Sequence, residues 1–210
     1  MGINDIQLPH RIAVVLAGIY LAAVVCNWTN VKYALKPAVT LLLALPTARG
    51  PSHAVFVGLL LSALGDTFLM LPDQESMFVP GLLSFLVAHI LYLNGFNATL
   101  RSGGVSWIVA APLGAFVSAM AAALYDGVAR VEDTGVQVGV VVYILTIALM
   151  TYKAAMTQTP LLVIGSLLFC VSDSILAWDK FVASYSWCEL GIMATYYAAQ
   201  LCIAMAHVPK

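Results

Sequence analysis

The 210-residue chain predicts an all-α polytopic membrane protein of eight transmembrane helices, arranged as two parallel four-helix repeats. Three observations point there. Hydrophobic residues make up 62% of the chain and charged residues only 9%, against roughly 25% charged in a soluble domain. No soluble fold of this size could bury so much apolar surface. Short breaker segments divide the apolar sequence into eight stretches near the ~20 residues a helix needs to cross ~30 Å of hydrocarbon. One motif also recurs half a chain apart.

The spans are expected near 11–28, 31–46, 53–71, 78–98, 105–125, 136–155, 160–178 and 187–207. Breakers separate them at Pro46 to Pro51, Pro72-Asp73, Arg101 to Gly104, Asp126 to Gly135, Pro160 and Asp179 to Ser186. The linkers leave no room for a soluble domain, so residues 1–210 read as one membrane unit with possible halves 1–103 and 104–210. The second span is short and carries Lys36-Pro37, so its helix is expected to kink or begin there. The first span, Ile12 to Cys26, reads as a retained helix, because Asn27-Trp28-Thr29 is no small-residue cleavage site.

Eight spans place both termini on one side. With them cytoplasmic, inside segments hold Arg11, Arg49, Arg101, Lys153 and Lys210, and outside segments Lys32, Lys36, Arg130 and Lys180. The bias favours termini inside, more so if Lys36 and Lys180 serve a site. A net charge of -1 without a basic run gives nucleic-acid binding no support. Cys26, Cys170, Cys188 and Cys202 stand singly without CxxC spacing and read as small packing residues.

The repeat pairs "GLLLSALGDTFLM" (58–70) with "GSLLFCVSDSILA" (165–177), at an offset of 107. Four spans lie between, so both segments cross in the same direction, the pattern of a parallel repeat. Asp66 and Asp173 then lie at similar depth, each near the C-terminal end of its helix. Ionisable residues inside membrane spans are rare and usually mark a functional site. Gly58, Ser62 and Asp66 recur every four residues and share a face, which lets a neighbouring backbone approach and turns the carboxyl inward. Two carboxyls converging in low dielectric cannot both ionise easily. One stays protonated, which supplies an acid and a base together.

Other polar groups in the spans complete the candidate site. Lys36 and Lys180 are counter-charges for a carboxylate or a phosphate, with snorkelling at the interface as the bland reading. His89 lies mid-span in "GLLSFLVAHILYLNGF" with no His or Cys at helical spacing, so a metal site has no support. Tyr196, Tyr197 and Gln200 form a polar patch in the eighth span, and Tyr143 is a further polar group in the sixth. His10, His53 and His207 fall at span ends and read as interfacial. The sequons at Asn27 and Asn97 hug the membrane on opposite sides and are discounted. The chain lacks GxSxG, GKS/T and HExxH, so serine-hydrolase, NTPase and zinc-protease readings fall away.

At these residues the sequence resembles the YhhN-like lysoplasmalogenases, multi-pass membrane hydrolases, and most of all their animal branch. The matching pieces are "LKP" (35–37), "VGLLLSALGDTFLML" (57–71), "PGLLSFLVAHILY" (80–92), "SLLFCVSDSILAWDKF" (166–181) and "MATYYAAQ" (193–200). The resemblance implies hydrolysis of the lysoplasmalogen vinyl ether to a fatty aldehyde and a glycerophospho-ethanolamine or -choline. It implies no cofactor, lysophospholipid and water as partners, an endoplasmic reticulum membrane location in animals, and Asp66 and Asp173 as the family's aspartates. Cleavage by a protonated carboxyl and a partner carboxylate parallels glycosidase logic. Lys36 and Lys180 are then phosphate contacts, and His89 with Tyr196 orient water or substrate. A proton-coupled carrier is the alternative, since carriers also use parallel repeats and intramembrane acids. An intramembrane aspartyl protease fits less well, because "LGD" lacks a GxGD context and "VSD" replaces the usual Tyr-Asp.

Overall fold

A computed structural model describes residues 3–71, 74–100 and 106–209. The topology cations Arg101 and Lys210, the acid Asp73 and the breakers Pro72 and Gly104 lie outside the described residues. The helices are α1 (Ile3–Val25), α2 (Thr29–Thr47), α3 (His53–Phe68), α4 (Gln74–Gly95), α5 (Trp107–Ala129), α6 (Thr134–Thr157), α7 (Pro160–Phe181) and α8 (Cys188–Ala206). A single 3-10 turn, Phe96–Thr99, follows α4.

Local chemistry sets several helix ends. Asn27 takes the left-handed conformation (φ 56°) after α1, and the Trp28 N–H donates back to the Ala23 carbonyl at 2.8 Å. That six-residue closure satisfies a carbonyl the helix leaves open. Gln158 is left-handed (φ 53°) after α6, and Pro160 opens α7 where a missing N–H costs nothing. The Asp133 side chain caps α6 by accepting from the Gly135 N–H at 2.7 Å.

Six helices among the described residues are long and apolar enough to cross a membrane: α1 from Leu8, α4 from Ser76, and α5 to α8. The helix count matches the sequence expectation, but α2 and α3 depart from the full span expected of them. α3 has 16 residues, about 24 Å at 1.5 Å per residue, less than the hydrocarbon thickness. α2 spends its first turns on Thr29, Asn30, Lys32 and Lys36 and runs on through Pro37 rather than beginning there. α1 starts at Ile3, eight residues before the apolar stretch, with Pro9 inside it. Hydropathy marks where lipid begins, and a helix need not stop there.

α3 packs chiefly on α4 and α7 on α8, while α8 also meets α1, α2 and α3. α5 lies outermost, touching α6 and α7, and of its described side chains only Leu124 is buried. Gly58 on α3 abuts the Tyr92 ring of α4, and Gly165 on α7 abuts Ile203 and the Ala199 carbonyl of α8. A Cβ at position 58 would stand 2.5 Å from Tyr92 Cε1, so glycine permits that approach. Outward faces are apolar: Leu60 and Leu64 on α3, Leu145 and Leu149 on α6, Ile164 and Leu167 on α7 are all exposed. Such faces suit lipid contact.

Two histidines expected at the interface are instead buried. His207 is fully buried, its ring stacked on Phe96 at 5.9 Å and its Nδ1 2.9 Å from the Ile203 carbonyl. The 3-10 turn after α4 carries Phe96 over it. His10 is also buried, whereas His53 is exposed as expected. Cys170 and Cys188 are buried packing residues; Cys26, at the end of α1, is exposed.

Candidate functional site

Six helix segments converge on one cavity of about 360 Å³. Its walls are the N-terminal turns of α2 and α8, the C-terminal ends of α3 and α7, Tyr20 of α1, and Phe78 with Phe85 of α4. It therefore opens toward the end of the bundle where the α1–α2, α3–α4 and α7–α8 connections lie. Asp66, Asp173, Lys36, Lys180 and Tyr196 all line it. Asp66 stands two residues from the end of α3, as expected, but α7 continues for two further turns beyond Asp173.

Asp66 is buried to 2% exposure on the small-residue face, with Gly58 and Ser62 buried in line with it. Its Oδ2 accepts from Tyr196 Oη at 2.8 Å and from Thr40 Oγ1 at 3.1 Å, and those two hydroxyls stand 3.2 Å apart. Both hydroxyls donate, and Lys36 lines the same cavity. Hydrogen bonds to the ionised form favour that form, while burial opposes it, so the two hydroxyls and Lys36 offset part of the cost of holding a carboxylate here.

Asp173 is differently held. Its Oδ2 accepts one bond, from Tyr143 Oη at 2.9 Å, and faces His89 Nε2 at 3.7 Å. His89 is fully buried, and its Nδ1 sits 2.7 Å from the Phe85 carbonyl. A carbonyl only accepts, so the Nδ1 carries the proton. In a neutral ring Nε2 then presents a lone pair toward the carboxyl. Two lone pairs repel unless one proton lies between them. At 3.7 Å the two make no hydrogen bond, and the buried Nε2 has no hydrogen-bond partner, so a proton shared between them requires the pair to close.

The two carboxyls take their bonds from separate partners. Aromatic contacts link those partners: Phe169 meets Tyr196 edge-on at 5.6 Å and His89 at 4.7 Å, and Phe85 meets Tyr196 at 5.9 Å. Gln200 stands outside the cavity lining; its Oε1 accepts from Tyr92 Oη at 2.8 Å, and Ser62 lies 3.1 Å from the same hydroxyl. Tyr197 Oη donates to the Lys36 carbonyl at 3.3 Å, in the helix stretch that Pro37 disturbs. Lys180 is exposed, with Nζ 4.7 Å above the Phe78 ring.

Sequence reasoning missed five contributors. Thr40 lies one helical turn beyond Lys36, and that spacing alone could have flagged it. Lys32 and Glu189 close an ion pair at 2.9 Å on the cavity wall, and Tyr20 Oη donates to Glu189 at 3.3 Å. Glu189 is the sole acid in α8, a signal available in the sequence. Tyr92 joins α3, α4 and α8 beneath the cavity.

Comparison with known proteins finds relatives of the chain. The model of the YhhN family matches residues 31–207. The lysoplasmalogenase TMEM86A of Bos taurus is 38% identical over 168 residues, 73% of this chain and 65% of the relative. The lysoplasmalogenase TMEM86B of Homo sapiens is 35% identical over 149 residues, covering 70% and 60%. The human TMEM86A lysoplasmalogenase is 33% identical over 190 residues, covering 87% and 74%. The chain thus spans under two thirds of the length of the first two. No solved structure matches.

Proposed function

The chain belongs to the YhhN family, and from that premise we propose that it is a lysoplasmalogenase, hydrolysing the vinyl ether of a lysophospholipid with Asp173 as acid and Asp66 as base. The observation that carries the reading is one cavity holding both carboxyls together with Lys36 and Lys180. A transporting site would need none of the asymmetry between the carboxyls. Hydrolysis needs it, because one group must give a proton while the other takes one.

The steps balance. In a vinyl ether, O–C1=C2, the Asp173 proton passes to C2 and the alkene electron pair forms the new C–H bond. C1 becomes an oxocarbenium ion, and the Asp66 carboxylate stabilises it. Water attacks C1 and gives a proton to Asp66, leaving a hemiacetal. The hemiacetal hydroxyl returns its proton to Asp173 as the C1–O bond to glycerol breaks, and Asp66 protonates the departing oxygen. Both groups end as they began. Lys36 and Lys180 bind the phosphate, Tyr196 and Tyr143 hold the two carboxyls, and His89 keeps the proton on the Asp173 side. Gln200 supports Tyr92 behind the site.

A repeat with halves 1–103 and 104–210 accounts for the pairing. Asp66 and Asp173 are 107 apart, as are His89 and Tyr196, Lys36 and Tyr143, and Gly58 and Gly165. Tyr196 donates to Asp66, and its counterpart His89 faces Asp173. Divergence at these matched positions supports one carboxyl becoming the base and the other the acid. With Lys32, Lys36 and Lys180 assigned to the cavity, the remaining described cations Arg11, Arg49 and Lys153 against Arg130 favour cytoplasmic termini. The location that fits is the endoplasmic reticulum membrane.

The test is aldehyde release by purified protein in detergent from ethanolamine and choline lysoplasmalogens, with diacyl and alkyl-ether lipids as controls. Aldehyde from the vinyl ethers alone is expected. No aldehyde from either would overturn the reading and leave the carrier alternative.

A further inference from the structure

The site cavity has an apolar annex. Phe78, Asp173 and Leu176 line the cavity described above, and the same three residues line a cleft of about 60 Å³ between α4, α5, α6 and α7. Beyond those three, the cleft is walled by apolar side chains such as Leu82, Val117, Met120, Ile144 and Ala177. Its Tyr143 hydroxyl is already committed to Asp173. A lysine-bearing chamber and an apolar one therefore meet at a single carboxyl.

We propose that this cleft receives the hydrocarbon chain of the substrate, so that Lys36 and Lys180 hold the phosphate end and the alkene lies beside Asp173. The proposal rests on the hydrolase reading above and adds substrate orientation and chain selection to it. A lysoplasmalogen has its charged headgroup and its chain on opposite sides of the vinyl ether. A site must therefore offer a polar and an apolar compartment with the reactive group at their boundary. Phe78 marks that boundary from α4, with Lys180 over its ring on the polar side and Phe181 against it at 6.1 Å.

The fold also supplies a way in. Among the described residues α5 packs on α6 and α7 but not on α4, although both α4 and α5 line the cleft. The gap between them faces lipid, and Phe116 at the cleft is exposed. A chain already lying in the bilayer can slide between α4 and α5 without passing through water. The charged headgroup travels along the polar end of the bundle to the lysines. This arrangement explains why the outermost helix carries residues of the cleft wall at all.

Chain-length selectivity tests the assignment. Purified protein is given lysoplasmalogens with 8-, 12-, 16- and 18-carbon alkenyl chains at fixed mole fraction in detergent micelles. Val117→Trp fills the cleft from α5. Each methylene beyond the eighth that it excludes costs about fourfold in kcat/KM, so exclusion of two or more is expected to lower the 16-to-8-carbon ratio of kcat/KM at least tenfold. Leu149→Trp, on the lipid-facing side of α6, is expected to leave that ratio unchanged. A ratio within twofold of the parent in Val117→Trp would overturn the proposal while leaving the hydrolase reading intact.

A second arm needs no variant and no turnover. A 16-carbon alkyl-ether lysophospholipid with a diazirine in mid-chain is photolysed on the unaltered protein. Label within 116–124 of α5 or 140–147 of α6, competed by unlabelled lipid, is expected. Competed label confined to other segments would overturn the proposal. This arm stands even if no lysoplasmalogen is hydrolysed, so the two readings can fail separately.

Discussion

Replacing Tyr196 by Phe removes one atom, the hydroxyl that donates to Asp66 at 2.8 Å. The ring stays, with its edge contacts to Phe85 and Phe169, so packing is kept. Asp66 retains the longer bond from Thr40 at 3.1 Å. A hydrogen bond to a charged group is worth about 1.5–3 kcal/mol. Loss of that stabilisation when the carboxylate must face a developing cation corresponds to a fall in kcat of about 10- to 150-fold. Thr40→Val, removing the longer bond, is expected to cost less. The double substitution is expected to exceed either single one without matching their product, because the two hydroxyls also face each other at 3.2 Å. The assay is steady-state aldehyde release, with elution volume and melting temperature in detergent confirming the fold. A Tyr196→Phe protein that folds and keeps kcat within twofold of the parent would refute the role given to this bond.

Other substitutions probe separate parts of the site and its packing. His89→Phe keeps an aromatic ring beside Phe169 but removes the nitrogen facing Asp173; kcat is expected to fall about 10- to 100-fold with KM little changed, which steady-state kinetics would show. If Lys36 makes the proposed charge-assisted phosphate contact, Lys36→Ala raises KM about tenfold, and loss of the exposed Lys180 less; unchanged KM in both would remove the lysines from binding. Gly58→Ala pushes a methyl toward the Tyr92 ring, only 2.5 Å away. It is expected to cost about 1–3 kcal/mol of stability, seen as a lower melting temperature in detergent.

The helix number, and the two aspartates that line one cavity, were legible in the sequence because both depend on contrast. An acid in a Leu-rich segment is visible against its background, and so is a proline between apolar stretches. What stayed hidden depends on which helices become neighbours. Thr40 reads as an ordinary small polar residue until α2 lies beside α3 and α8 supplies Tyr196. His89 reads as a lone histidine until α6 and α7 bring Tyr143 and Asp173 to it. His207 follows an apolar helix and looks interfacial, yet Phe96 covers it from a turn 111 positions away in the chain. The early start of α1 escaped notice because helix formation continues past the point where hydropathy falls. The shortness of α3 mattered most for the site: Asp66 sits near the end of a helix too short to reach across the bilayer, where lysine-bearing ends of other helices can meet it.

Asp66 and Asp173 are proposed to act together across one cavity. Aldehyde release by the purified Asp66→Asn and Asp173→Asn proteins, each shown to be folded by elution volume and melting temperature, tests it most directly. General acid–base catalysis contributes about 10²- to 10⁴-fold, so each variant should lose at least a hundredfold in kcat. Either amide retaining most of the parent rate in a folded protein would contradict the claim.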